Sequence, residues 1–306
     1  MVPGVAWEIL SCAPPLRPMD RMMKITITKT RQGLLSFIAL IFLAPTLCAT
    51  NVSAHPGTPI EQGFNDMYNL DFSAAHHQFD VWEAAYPDDP MGPVCHAAAL
   101  LFTEFNRLGV LESQLFTDND RFDDRRKLSP DPETKRQFMT ALDRADDLAD
   151  KALQRNSQDA NAEFTKILSF GLRSDYAALV EKRDLAALRY TRQGRQFAEV
   201  LLKQKPDDYD AYLAVGVENY LSGIKPAPIR WLLSANGVET DKAQGIHDLE
   251  LTAAHGDLLA PFAQLLLAVS ALRDKDQSHA CSLLTGLSQR YTRNPLYRHE
   301  LTQNHC

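Results

Sequence analysis

The chain has 306 residues, 45% hydrophobic and 23% charged, with 14 Gly and 17 Pro, a balance that excludes a disordered or collagen-like polymer and suffices for a buried core. Residues 1–54 hold five of the 32 Lys/Arg and two of the 39 Asp/Glu, so the rest carries 27 basic against 37 acidic residues, a formal charge of −10. That acidity argues against nucleic acid and anionic membrane as main partners.

The first element is a targeting segment. Lys24, Lys29 and Arg31 precede an apolar run from Leu34 to Ala44 and then small residues, the three-part layout of a secretory signal peptide. The run is about 11 residues, short of the roughly 20 that cross a bilayer as a helix. Cleavage is expected after Ala54, in the small-x-small step Val52-Ser53-Ala54, with Ala49 the second choice and Met22 or Met23 the better start. Leu47 before Cys48 argues against lipid attachment. The expected product is an exported, periplasmic protein without a stable membrane span; retention of the apolar segment as an anchor is the alternative. Residues 1–54 are thus extension and signal peptide, and 55–306 the domain proper.

Beyond residue 55, apolar residues return at three- and four-residue steps and no alternating β-branched run occurs, which predicts an all-α domain. Ile60, Phe64, Met67 and Tyr68 make one stripe; Ala75, Phe79 and Trp82 make a second that stops at Pro87. A third helix runs from Pro90 to Leu108, closed by Gly109 in a left-handed cap. Residues 110–131, including "TDNDRFDDRRKLSPDP", have no stripe and read as a long irregular connection. Asp131 then caps a helix with Pro132 in its first turn, running to about Arg155.

Further helices are predicted from Ala160 to about Gly171, Asp184 to Gln204, and Asp208 to Leu221 before Gly223. "KPAPIRWLLSANG" reads as a short helix; Ala243 to Ala253 and Leu259 to Leu272 follow, and the last strong helix covers Gln277 to Tyr291.

Two of these segments share an ending. "WEAAYPDDP" follows Ala75 and Phe79; "LSQRYTRNP" follows Ala280 and Leu284; Thr292 stands 205 positions after Pro87, close to six periods of 34 residues. Gly63, Ala75, Phe79 and Pro87 in step, with Ala268, Ala280, Leu284 and Leu287 as a later copy and Tyr212 with Gly216 as a middle one, resemble the tetratricopeptide-repeat (TPR) family. Ala145, Ala149 and Ala152 match only its small-residue half, and Pro228 falls where the second helix after "YLAVGVENY" should offer a small residue. The resemblance implies a TPR-like α-solenoid of antiparallel helix pairs, each open on one face until the next pair stacks on it. It also implies a protein or peptide partner held along a concave groove. Phe64, Met67, Tyr68, Leu213, Val217, Tyr220, Leu265 and Val269 would face that groove.

Catalytic and metal signatures are not expected. His76-His77 and Cys95-His96 are adjacent pairs whose side chains diverge on a helix, so they read as surface histidines and, for Cys95 and Cys281, small buried residues. In "DNDRFDD" an EF-hand is excluded, because Phe122 and Asp123 replace a ligand and the turn glycine. Carboxylates read as solvated. Whether any disulfide joins Cys95, Cys281 and Cys306 is left open. The reading is of a non-catalytic scaffold without cofactor or metal; the alternative places a hydrolytic or metal site in the irregular segments, with Asp118, Asp120, Asp123 and Asp124 converging on His96 or Arg125.

Overall fold

The computed structural model describes residues 57–110, 128–225, 231 and 240–306. Among them are eleven α-helices and no strand: α1 (Pro59–Tyr68), α2 (Phe72–Ala85), α3 (Met91–Leu108), α4 (Pro132–Arg155), α5 (Ala160–Asp175), α6 (Asp184–Gln204), α7 (Tyr212–Gly223), α8 (Lys242–His255), α9 (Ala260–Arg273), α10 (Gln277–Arg290) and α11 (Pro295–Gln303). A π-helical turn, Tyr176–Val180, continues α5, and a 3₁₀ turn, Tyr209–Ala211, leads into α7. The helices pack as consecutive pairs, α1 with α2 through α9 with α10; the second helix of each pair lies on the first of the next, and α11 lies on α10. This is an all-α solenoid.

Local chemistry starts most of these helices. Thr58 accepts from the Glu61 N–H while the Glu61 carboxylate accepts from the Thr58 N–H, a reciprocal capping box. Asp71, Asp131, Asp159, Asp241, Asp276 and Asn294 cap α2, α4, α5, α8, α10 and α11 in the same acceptor role. Gly109 ends α3 at φ 68°, where a side chain would be strained.

Pair packing follows the repeat pattern. A Cβ on Gly63 would lie 2.2 Å from the Phe79 ring, so only glycine lets α1 and α2 close over that ring. In the fourth pair the contact is backbone on backbone: a Cβ on Gly245 would be 2.4 Å from the Tyr220 nitrogen, and one on Gly216 would be 3.0 Å from the Gly245 carbonyl oxygen. Gly245 therefore supplies the small residue expected near Pro228. The second helix of this pair begins only at Lys242, so the pair is split by an insertion, as α3 and α4 are by residues 109–131. These two insertions produce the irregular spacing of the repeat.

Three elements differ from expectation. Helix α5 runs on to Asp175 and into the π turn rather than stopping near Gly171, because Leu172, Tyr176 and Val180 keep the apolar stripe going past the glycine. Tyr209–Ala211 is 3₁₀, so α7 starts later than Asp208. Helix α11 is additional to the expected set; its signal is Asn294 followed by Pro295, a cap with proline in the first turn. The "TDNDRFDD" run and, apart from Lys225 and Trp231, the short helix of "KPAPIRWLLSANG" lie outside the described residues.

Contacts between the first and last pairs close the stack. The Tyr68 hydroxyl donates to the Leu258 carbonyl at 2.9 Å, its ring lies 5.4 Å from that of Tyr291, and the Asn294 side-chain amide donates to the Tyr68 carbonyl at 2.9 Å. Arg293 pairs with Asp66 at 3.0 Å and Asp71 at 2.9 Å. The main core is accordingly continuous from Ile60 to Tyr297. Asn294→Ala should cost about 2 kcal/mol, since it removes the α11 cap and strands a carbonyl in a buried place; urea unfolding of the mature chain measures it.

Cys281 and Cys306 form a disulfide that ties α10 to the residue three places beyond α11, while Cys95 is buried and free. Cys281 is thus not the packed residue its neighbours suggested: it is half-buried and bonded. Closing a loop of 25 residues restrains the unfolded chain by about 3 kcal/mol in the chain-entropy account. Cys306→Ser is expected to lose that amount, and reductant should then leave the variant's unfolding midpoint unmoved.

Candidate functional site

The first helices of the pairs converge on the axis of the stack. What remains between them is a cavity of about 120 Å³, lined by Phe64 and Met67 of α1, Phe102 of α3, Leu213 and Val217 of α7, and Phe262 of α9. Four of the eight residues expected in a concave groove therefore share one cavity. The other four pack elsewhere: Tyr68 and Val269 are buried, Leu265 is packed against the core, and Tyr220 is buried with a hydroxyl lacking a partner among the described residues. A space of this size does not admit a peptide, because closure of the first pair on the last has filled the groove with side chains.

Helices α5 and α6 complete the lining with Gly171, Ser174, Asp175, Thr191 and Gly194. The two hydroxyls are committed: Ser174 donates to the Ala187 carbonyl at 3.1 Å, and Thr191 lies 2.8 Å from Ser174 and 3.1 Å from the same carbonyl. Asp175 is not. No ion pair or side-chain hydrogen bond from the described residues reaches it, and burial raises its carboxyl to about 7. Part of its area stays accessible, and the cavity it lines is partly open, with Gly171 exposed in the same lining.

A second concavity lies where α7 sits between α6 and α8. It is a cleft of about 470 Å³ lined by Glu199, Leu202 and Lys203, by Tyr212, Val215 and Asn219, and by Gln244 and Asp248. Its polar side chains are fixed from beneath. Arg195 donates to Glu199 at 2.7 Å and to the Asn219 carbonyl oxygen at 2.6 Å; Asn219 donates to Asp248 at 3.4 Å, and Gln244 donates to the other Asp248 oxygen at 2.8 Å. Desolvation raises the Asp248 carboxyl, opposed by the Gln244 and Asn219 hydrogen bonds.

The structure corrects two sequence readings. His76 and His96 are not isolated surface residues: their Nδ1 atoms lie 2.7 Å apart across α2 and α3, and His96 Nε2 reaches Asp80 at 3.3 Å. The pair shares one proton in a direct hydrogen bond, and burial lowers both rings. Nor are the carboxylates uniformly solvated. Glu104, Glu163, Asp210, Glu218, Asp248 and Glu300 are buried, because backbone and guanidinium donors meet several of them. Glu104 accepts from Arg107 at 2.7 Å and the Asp131 N–H at 2.7 Å; Asp210 accepts from the N–H groups of Leu258 and Leu259 at 2.8 and 3.0 Å. Such acids cannot be told from surface ones by spacing. Asp118, Asp120, Asp123, Asp124 and Arg125 lie outside the described residues.

No protein-family model matches the chain, and no curated protein does. Among solved structures, the crystal structure of a thermophilic TPR protein in Thermus thermophilus aligns over 80% of this chain and 96% of its own, at 13% identity and a TM-score of 0.43. The packing of the pairs decides the architecture, with Gly63 beneath Phe79 and Gly216 against Gly245. The fold is an all-α solenoid of stacked helix pairs. In this solenoid the space between the first helices is reduced to a small cavity, and a broader cleft lies over α7.

Proposed function

We propose that the chain is an exported, non-catalytic adaptor of the cell envelope that holds a segment of a partner protein in the cleft over α6, α7 and α8. The cleft carries the reading: an apolar floor of Leu202, Tyr212 and Val215 is framed by acceptors and donors already held in place by Arg195. Side chains fixed beforehand lower the ordering cost of binding. Repeat folds meet partners through extended surfaces, and the Cys281–Cys306 bond fits an oxidising compartment, as does the signal-like segment ahead of His55.

Photocrosslinkers placed at Tyr212 and, as control, at Tyr86 test the binding. Envelope extract should give a discrete protein adduct from the first position only, lost in the Val215→Asp background. Equal labelling at both positions, or no adduct from cells that export the protein, would sink the reading. Export is tested separately: N-terminal sequencing of the mature protein is expected to begin at His55, and an intact Met22 or Met1 start in the envelope fraction would contradict it.

A further inference from the structure

We infer that the axial cavity is a binding site for a small organic amine, its ammonium group paired with Asp175 and its apolar body lying against Phe64, Phe102 and Phe262. This inference does not depend on the adaptor reading, since the cavity and the outer cleft share no lining residue.

The argument begins with the carboxyl. A carboxyl drawn largely out of water ordinarily meets a donor, as the buried Glu104 and Asp210 do in this protein; Asp175 keeps part of its area accessible. Asp175 meets none among the described residues, although Arg173 is two residues away; that guanidinium turns to the other side of α5 and pairs with Asp143 at 2.8 Å and Asp146 at 2.9 Å. The chain thus has a cation within reach and does not use it here. Ser174 and Thr191 are already taken by the Ala187 carbonyl. Asp175 is therefore the one uncommitted polar side chain, and the one titratable side chain, among the described residues lining the cavity.

The α-helical ladder of α5 ends at Asp175 and a π turn begins at the next residue, Tyr176, a feature common at functional sites. Apart from the committed hydroxyls of Ser174 and Thr191, the cavity wall is aliphatic and aromatic, and aromatic faces attract a cation beside them. Raised to about 7 by burial, the carboxyl is protonated in part when the cavity is empty and is drawn to the ionised form by a bound ammonium. Neutral ligands would leave that charge uncompensated.

Size limits the guest. An engineered apolar cavity of about 150 Å³ takes up one benzene, so about 120 Å³ suits a molecule of about five non-hydrogen atoms. Gly171 offers a control, for it lines the cavity at an exposed position and a Cβ there would meet nothing within 4 Å, so a larger side chain is accepted without displacing a neighbour and is placed at the cavity's edge.

The probes are n-butylamine and 1-butanol, matched in shape and differing in charge, titrated calorimetrically into the mature chain near pH 8. The amine is expected to bind about tenfold or more tighter than the alcohol. Asp175→Asn should abolish that preference while leaving alcohol binding in place, and Gly171→Leu should abolish both, each variant being checked for its helical circular dichroism. Equal affinities in the wild-type chain, no saturable binding of either probe, or an amine preference that survives in Asp175→Asn would overturn the inference.

Discussion

Tyr291→Ala is expected to lower the unfolding free energy of the mature chain by about 4 kcal/mol, the usual cost of emptying a large aromatic site in a core. Tyr291 is 2% exposed and sits in the α10–α11 connection, with the rings of Tyr68 and Tyr297 at 5.4 and 6.2 Å. No small-to-large compensation is available nearby, because Asn294 beside it is held by the Tyr68 carbonyl. The loss should be spatially uneven. Amides of α1 and α2 should exchange faster with solvent, since these helices lose their partner at the far end of the stack, while α5 and α6 should keep their protection. Urea denaturation gives the total and hydrogen exchange the distribution. A uniform rise in exchange would mean that Tyr291 is ordinary core and not a clasp between the first and last pairs.

Asp175→Asn is expected to stabilise the protein, and only at higher pH. The folded-state carboxyl titrates at about 7 against an ordinary 3.8, so between those values the folded chain keeps a proton that the unfolded chain has released. Wild-type stability therefore falls as pH rises through that window and stays low above it. A shift of that size corresponds to about 4 kcal/mol in full; the accessibility that Asp175 retains trims the expected gain to about 2 kcal/mol at pH 8. Near pH 4 the acid and the amide should be equally stable. Unfolding curves for both proteins at about pH 4, 6 and 8 measure the difference; a gap that does not change with pH would show that the carboxyl is solvated.

Most of the helices were legible because the apolar period agreed with the glycine and proline stops, and for α4 with the Asp131 cap. Helix α4 begins and ends where Asp131, Pro132 and Arg155 place it, and Gly63 does under Phe79 what the repeat pattern requires. Closure was not legible. It rests on Tyr68, Tyr291 and Asn294 meeting across more than 220 positions in the Asn294–Tyr68 bond, and no local period encodes such a meeting. The same closure turned Phe64, Met67, Leu213 and Val217 from groove residues into the lining of a cavity. Asp175 was missed for a related reason: its significance lies in what does not touch it among the described residues, and no spacing records that.

The clasp also bears on how the chain acquires its structure. Stacked hairpins are governed by contacts between near neighbours in sequence and can zip up from any point, but the Tyr68–Leu258 and Tyr68–Asn294 hydrogen bonds join residues 190 and 226 positions apart. Long-range pairings slow folding because loop-closure entropy is lost before the contact is gained. During synthesis, α1 and α2 must therefore wait with an uncovered apolar flank until α10 and α11 have been made, which keeps the nascent chain incompletely folded to its final residues.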